Sequence, residues 1–190
     1  VLVGMHHAFF PLSFNDLALK GSENVLGPGM LVSNIAQGGA VLCVSLKTKN
    51  RDLKQLAGSA GLTALLGITE PAMYGVTMKL KKPLIAVCSG GALAGLYIGL
   101  MGVVRYSSGA PGLASIAIFI GENPMNIVHA LIGCAIAFVS AFALTWIIGF
   151  EDHANEDDQI EDESLGEVSV DKAPLMNKIT IASPLKGNIV

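Results

Sequence analysis

Three runs along the chain contain no Asp, Glu, Lys or Arg: Val25–Leu46 and Pro83–Val104, each 22 residues long, and Ile127–Phe150, 24 residues long. At about 1.5 Å rise per residue, 22 residues of helix reach roughly 33 Å, enough to cross the hydrocarbon of a bilayer. Each run is therefore predicted to be a transmembrane helix. The last carries Trp146 near its C-terminal end, where an interfacial aromatic belongs. Pro83–Val104 carries Gly91, Gly95 and Gly99 at a spacing of four, which predicts a small-residue packing stripe on one helix face. Two further apolar stretches do not span. Leu56–Tyr74 is interrupted by Gly58, Gly61 and Gly67 and then by Glu70-Pro71, and Pro111–Phe119 is too short.

The basic residues order these pieces. Lys47, Lys49, Arg51 and Lys54 fall in one connection, and Lys79, Lys81 and Lys82 in another. Basic loops stay on the cytoplasmic side. The segment between them, 55–77, must then enter and leave by the same face, as a re-entrant hairpin with Glu70-Pro71 near its turn or on its return arm. Pro83–Val104 runs outward to Arg105, 106–126 stays outside with a possible second hairpin in its apolar part, and Ile127–Phe150 returns. Irregular backbone at membrane depth survives only where protein buries it or a wet cavity receives it, so a re-entrant hairpin points to a transport site.

Composition agrees with a membrane chain. Of 190 residues, 52% are hydrophobic and 14% charged, against about 25% charged in ordinary soluble domains. The 22 glycines suit membrane helices. The net charge of −3 divides unevenly: residues 1–150 hold nine basic and five acidic residues, residues 151–190 three and ten. Residues 151–173, with all ten of those acids, read as a solvated linker. Residues 174–190 show weak alternation with Gly and Pro between, the opening of a β domain. The start at Val1 and the stop at Val190 read as the ends of a fragment. No basic cluster suggests a nucleic-acid partner. Cys43, Cys88 and Cys134 are dispersed in apolar stretches, which predicts buried thiols rather than a disulfide framework.

Glu70 is the first candidate for chemistry. Ionisable groups at membrane depth are costly, roughly 2.5–3.5 kcal/mol on insertion scales, and mark function by default. A carboxylate can also accept from two hydroxyls of one ligand at once. The plainer alternative is an interfacial Glu at a hairpin end. His6-His7 is the second. Adjacent histidines on a helix point about 100° apart, which argues against a shared metal. An imidazole bonded to a ligand hydroxyl, or plain packing, fits instead. Asn15, Asp16, Asn34 and Gln37 are polar residues within or beside apolar segments, unranked among themselves, and His129 reads as interfacial. No P-loop, nucleophile elbow, zinc motif or dinucleotide fingerprint occurs, and no cofactor is expected.

Residues 67–75, Gly-Ile-Thr-Glu-Pro-Ala-Met-Tyr-Gly, resemble the GITEP signature of the glucose-superfamily enzyme IIC proteins of the bacterial phosphotransferase system. Residues 3–11, Val-Gly-Met-His-His-Ala-Phe-Phe-Pro, resemble the Gly-x-His segment found upstream of it in the β-glucoside branch, and residues 58–76 and 81–86 are also similar to that branch. The resemblance covers about residues 1–150. Ser183-Pro184-Leu185-Lys186-Gly187 looks like the first strand and turn of a glucose-type enzyme IIA domain.

The resemblance implies an all-α membrane domain with one or two re-entrant hairpins, dimeric, in the bacterial inner membrane, with a cytoplasmic C-terminus. It implies sugar binding by Glu70 and His6, backbone contacts from Thr69 and Ile68, and a lesser role for His7. It further implies phosphoryl transfer to the sugar from a IIB phosphocysteine, itself charged by IIA and, upstream of that, by HPr. Both phosphoryl-carrying residues are expected outside residues 1–190. β-Glucosides are the expected substrates, and sucrose- or trehalose-type permeases are the near alternatives. An ion-coupled transporter using Glu70 as a proton site, or a membrane scaffold that does not need Glu70, are the more distant ones.

Overall fold

The structure is a computed structural model and describes residues 6–121 and 123–150. The expected linker at 151–173 and β-domain start at 174–190 lie outside the described residues. Helix α1 is His6–Lys20, α2 is Leu26–Lys47 and α3 is Arg51–Leu65. Helix α4 covers residues 70–80, α-helical at Glu70–Ala72 and Met78–Leu80 and π-helical at Met73–Thr77 between them. Helix α5 is Lys82–Leu100, a 3-10 segment covers Leu113–Phe119, and α6 is Met125–Ile148.

The three uncharged runs become α2, α5 and α6, the three helices among the described residues long and apolar enough to cross a membrane. Boundaries follow local chemistry. Helix α5 stops at Leu100, short of the uncharged run, because Gly102 takes φ +64 and the Gly102 and Val103 amides turn back to Gly99 and Ile98. Gly149, at φ +66, ends α6. Asn50 caps α3, its side-chain oxygen accepting from the amides of Asp52 at 2.9 Å and Leu53 at 3.2 Å. The hydropathy pattern names no element over residues 8–20, where α1 forms with Pro11 inside it.

Helix α2 is the central post. About two-thirds of its most apolar window is buried, against a third for α5 and 28% for α6, so α5 and α6 turn apolar faces outward. Leu31, Val32, Ile35, Ala36 and Ala40 of α2 form one core with Ala94 and Ile98 of α5 and Ala130, Ala137 and Ala141 of α6. Helices α2 and α6 run parallel. Gly39 meets the backbone of Phe138, and at their shared end Lys47 donates from Nζ to the Trp146 carbonyl at 2.8 Å while lying 5.6 Å from the indole ring. Helix α5 runs antiparallel to both.

The packing stripe on α5 is one residue away from the sequence expectation. A Cβ on Gly95 or Gly99 would meet nothing within 4 Å, and one on Gly91 would meet only the Ala36 methyl at 3.9 Å. The buried face is Ala86, Gly90, Ala94 and Ile98. Two small-residue stripes, Gly91-Gly95-Gly99 and Ala86-Gly90-Ala94, lie side by side on this helix, and a rotation of one residue, about 100°, decides which meets α6. A Cβ on Gly90 would sit 2.8 Å from the Ala141 backbone nitrogen and 2.9 Å from the Ser140 hydroxyl. Gly90→Ala is expected to cost about 1–3 kcal/mol through overpacking and Gly95→Ala almost nothing, read as the shift in thermal unfolding of the intact protein in detergent.

Helices α3 and α4 form a helical hairpin. Gly61 lies against Leu42 and Gly38 against Leu65, so α3 runs back along α2. Leu53, Leu80 and Phe150 pack on one cluster with Val41, Val44, Ala57, Ala60, Ala64, Ala72 and Val76. The start of α3 and the end of α4 therefore lie together beside the C-terminal end of α2, and the 66–69 turn lies beside residues 34–38, near the middle of α2. Residues 113–119, where the possible second hairpin was expected, are 3-10 helical with a kink at Ser115 (φ −107, ψ 19). Phe119 is fully buried there, and Asn126 holds the segment by donating to the carbonyls of Val104 and Phe119, each at 2.7 Å.

Candidate functional site

The 66–70 turn is built by backbone capping. The amides of Gly67 and Ile68 return to the carbonyls of Ala64 and Thr63, each at 3.0 Å, and stop α3. Gly67 takes φ +107, a conformation glycine adopts without the Cβ penalty. Pro71 in the first turn of α4 needs no donor there. The result presents Ile68, 55% exposed, and Glu70, also exposed, while Thr69 is buried and its hydroxyl makes no capping bond to α4.

Among the described residues, no ion pair or hydrogen bond engages the Glu70 carboxylate. The π-helical stretch Met73–Thr77 follows immediately, and single π turns inside α-helices occur frequently at functional sites. A carboxylate with both oxygens uncommitted, at the tip of a hairpin, can accept hydrogen bonds from paired hydroxyls.

The segment 110–112 lies directly on this turn. A Cβ on Gly67 would come 3.1 Å from the Pro111 carbonyl oxygen, and one on Gly112 would overlap the Leu66 carbonyl. Asn34 of α2 donates from Nδ2 to the Pro111 carbonyl at 2.7 Å. On its other side the same segment meets a cavity of about 360 Å³ lined by Phe10 and Phe14 of α1, Met30, Arg105 and residues 108–111. His6 and His7 are the first two residues of α1, and His7 is exposed with its ring 5.3 Å from that of Phe10. Helix α1 and the Glu70 turn thus both adjoin residues 108–111.

Glu23 and Arg105 form the one feature of this end that the hydropathy pattern did not single out. Both are buried, 3% and 2% exposed. Arg105 Nε lies 2.7 Å from Glu23 Oε2, off the line a hydrogen bond needs. The two backbones exchange hydrogen bonds at 2.9 and 2.8 Å. The Glu23 carboxylate also accepts the Val25 amide at 2.7 Å, the Gly27 amide at 2.9 Å and the Leu26 amide, capping α2. Arg105 donates to Ser13 of α1 at 2.5 Å. The sequence signal was an acid two residues before an uncharged run, the usual position for a helix-start acid. His129, expected at the interface, is half-buried, with Nδ1 3.0 Å from the Tyr97 hydroxyl. Cys43 and Cys134 are buried as expected, whereas Cys88 is exposed.

The family model "Phosphotransferase system, EIIC" matches residues 1–91, from α1 through the Glu70 turn into α5. The chain matches the EIIC part of a phosphotransferase system. Along its whole length it is 38% identical to the PTS system beta-glucoside-specific EIIBCA component of Bacillus subtilis, covering 30% of that protein. It is 42% identical over 154 residues, 80% of the chain and 32% of the relative, to the arbutin-, cellobiose-, and salicin-specific EIIBC component of Escherichia coli. It is 41% identical over 159 residues, 84% of the chain and 33% of the relative, to the sucrose-specific EIIBC component of Bacillus subtilis. The chain spans about a third of the length of these curated relatives. No solved structure matches it. The EIIC match includes both segments that carry candidate ligands, 6–7 and 68–70.

Proposed function

We propose that residues 1–150 are the C-terminal part of an EIIC sugar permease of β-glucoside type, that 151–173 are a linker, and that 174–190 open a IIA domain. The whole-length alignments to EIIBCA components support the last point, since they run over 190 and 192 residues while the Escherichia coli EIIBC component aligns over 154. The α3–α4 hairpin is re-entrant. At 15 residues α3 reaches only about 22 Å, short of a roughly 30 Å core, and both its arms end beside the basic connections 47–54 and 79–82. That end faces the cytoplasm by the positive-inside rule, and with it the C-terminus of α6. The surrounding compartment is the bacterial inner membrane, and the assembly is a homodimer, as in the family the sequence resembles.

The observation that carries the reading is the uncommitted Glu70 carboxylate on a turn near the middle of α2. Glu70 accepts from two sugar hydroxyls, Ile68 and Thr69 offer backbone contacts, and His6 and, secondarily, His7 approach from α1. After the site opens to the cytoplasm, a phosphocysteine of IIB transfers its phosphoryl group to the sugar. The S–P bond breaks, an O–P bond to a sugar hydroxyl forms, and the hydroxyl proton leaves, with Glu70 placed to take it. IIA recharges the cysteine and HPr recharges IIA. The intact protein thus works as a protein-phosphocysteine–sugar phosphotransferase whose phosphoryl-carrying residues lie outside residues 1–150. A sucrose-type substrate is the second reading, favoured by the 41% identity to a sucrose-specific component.

Membranes carrying the intact protein, supplied with phosphoenolpyruvate, enzyme I and HPr, test the choice. Phosphorylation of salicin or arbutin in preference to sucrose is expected. Preference for sucrose moves the assignment to the second reading. Uptake of unmodified sugar without phosphoenolpyruvate overturns both in favour of ion coupling.

A further inference from the structure

Two buried amides on α2 have no role in the account so far. Asn34 and Gln37 are 4% and 5% exposed, three residues apart, and so lie on one face of the best-buried helix. Burying a primary amide is costly unless its hydrogen bonds are made, and an apolar residue at either position would pack without that cost. Each amide spends its donor on the Glu70 hairpin or on what abuts it. Gln37 donates from Nε2 to the Thr77 hydroxyl at 2.8 Å, and Thr77, fully buried in the π-helical stretch, donates to the Met73 carbonyl at 3.3 Å. Asn34 donates to the Pro111 carbonyl, and residues 111–112 abut Leu66 and Gly67.

We propose that Asn34 and Gln37 are positioning residues that fix the depth and rotation of the Glu70 turn from both sides, Asn34 through residues 111–112 ahead of it and Gln37 through Thr77 behind it. The inference rests on the reading of Glu70 as a sugar ligand. The π-helical stretch is the reason a second brace is needed: its i to i+5 bonding is less regular than the α-helix on either side, so the hydroxyl of Thr77 fixes a turn the backbone ladder holds less firmly. A displacement of about 1 Å at a reacting site can cost on the order of 100-fold. Loss of one brace is therefore expected to weaken sugar binding about tenfold.

The test is equilibrium binding of an aryl β-glucoside to the intact protein in detergent without phosphoryl donor, for wild type, Gln37→Met, Thr77→Val, Thr77→Ser and Glu70→Gln, and for the first two in the Glu70→Gln background. Expected results are about tenfold weaker binding for Gln37→Met and for Thr77→Val, near wild-type binding for Thr77→Ser, which keeps the hydroxyl, and no further loss when either is added to Glu70→Gln. A role in folding alone would act equally in both backgrounds. Glu70→Gln weakened but Gln37→Met and Thr77→Val unchanged, or weakened fully additively, overturns the positioning role and leaves the sugar site standing. Glu70→Gln unchanged overturns the sugar site and the positioning role with it. Should Gln37→Met fail to fold, the Thr77 pair decides the matter alone.

Discussion

Replacing Arg105 with Ala is expected to abolish accumulation of folded protein, or to lower its stability by about 3–5 kcal/mol, the usual cost of stranding one member of a buried ion pair. The size follows from what Arg105 holds. Its side chain covers Gly27 at the start of α2, lies against the Glu23 carboxylate and reaches Ser13 of α1. Without the guanidinium, Glu23 keeps its three amide donors but loses the only cation in contact with it among the described residues. Glu23→Gln is expected to be milder than Arg105→Ala, since an amide oxygen can still cap α2. The double change Glu23→Gln with Arg105→Met is expected to recover part of the loss, because no unpaired charge remains buried. Yield and thermal unfolding of the intact protein in detergent check the ranking. Equal stability of wild type and Arg105→Ala would mean that this pair does not hold the end of the bundle.

Glu70→Gln is expected to cut sugar phosphorylation at least about 100-fold with little change in stability. Glu70 is exposed and its carboxylate makes no ion pair or hydrogen bond among the described residues, so the fold does not depend on it. Charged acceptors make hydrogen bonds roughly twice as strong as neutral ones, and Gln offers one acceptor oxygen in place of two. Two hydroxyl bonds to the carboxylate, about 1.5–3 kcal/mol each, would be replaced by one neutral bond of about half that strength, a net loss of about 3 kcal/mol, which corresponds to that factor. Glu70→Asp, which keeps the charge but withdraws it by one methylene, is expected to fall between. IIB phosphorylation should be unchanged in every variant.

The spans were legible because they depend on sums over 20 residues. A run of 22 uncharged residues has one economical placement, and α2, α5 and α6 begin and end within a few residues of the three uncharged runs. The Glu70 turn was legible because a carboxylate is costly at membrane depth and Glu70-Pro71, following Gly67, interrupts an apolar run. What was not legible depended on rotation or on distant pairing. Gly90 rather than Gly91 meets α6, a difference of one residue that composition cannot register. The Glu23–Arg105 pair joins residues 82 apart in sequence, and Asn34 reaches Pro111 across 77. Local sequence marks Glu23 as a helix-start acid but names neither distant partner. The 3-10 segment at Leu113–Phe119 escaped because its anchor, Asn126, lies beyond it on the next helix.

The central claim is that the turn bearing Glu70 holds the sugar. Equilibrium binding of a radiolabelled aryl β-glucoside to the intact protein, with no phosphoryl donor present, isolates that step from IIB chemistry. The account predicts saturable binding in the wild type and at least about tenfold weaker binding in Glu70→Gln, equivalent to about 1.4 kcal/mol or more, at equal levels of folded protein. Identical affinity in the two proteins would contradict it.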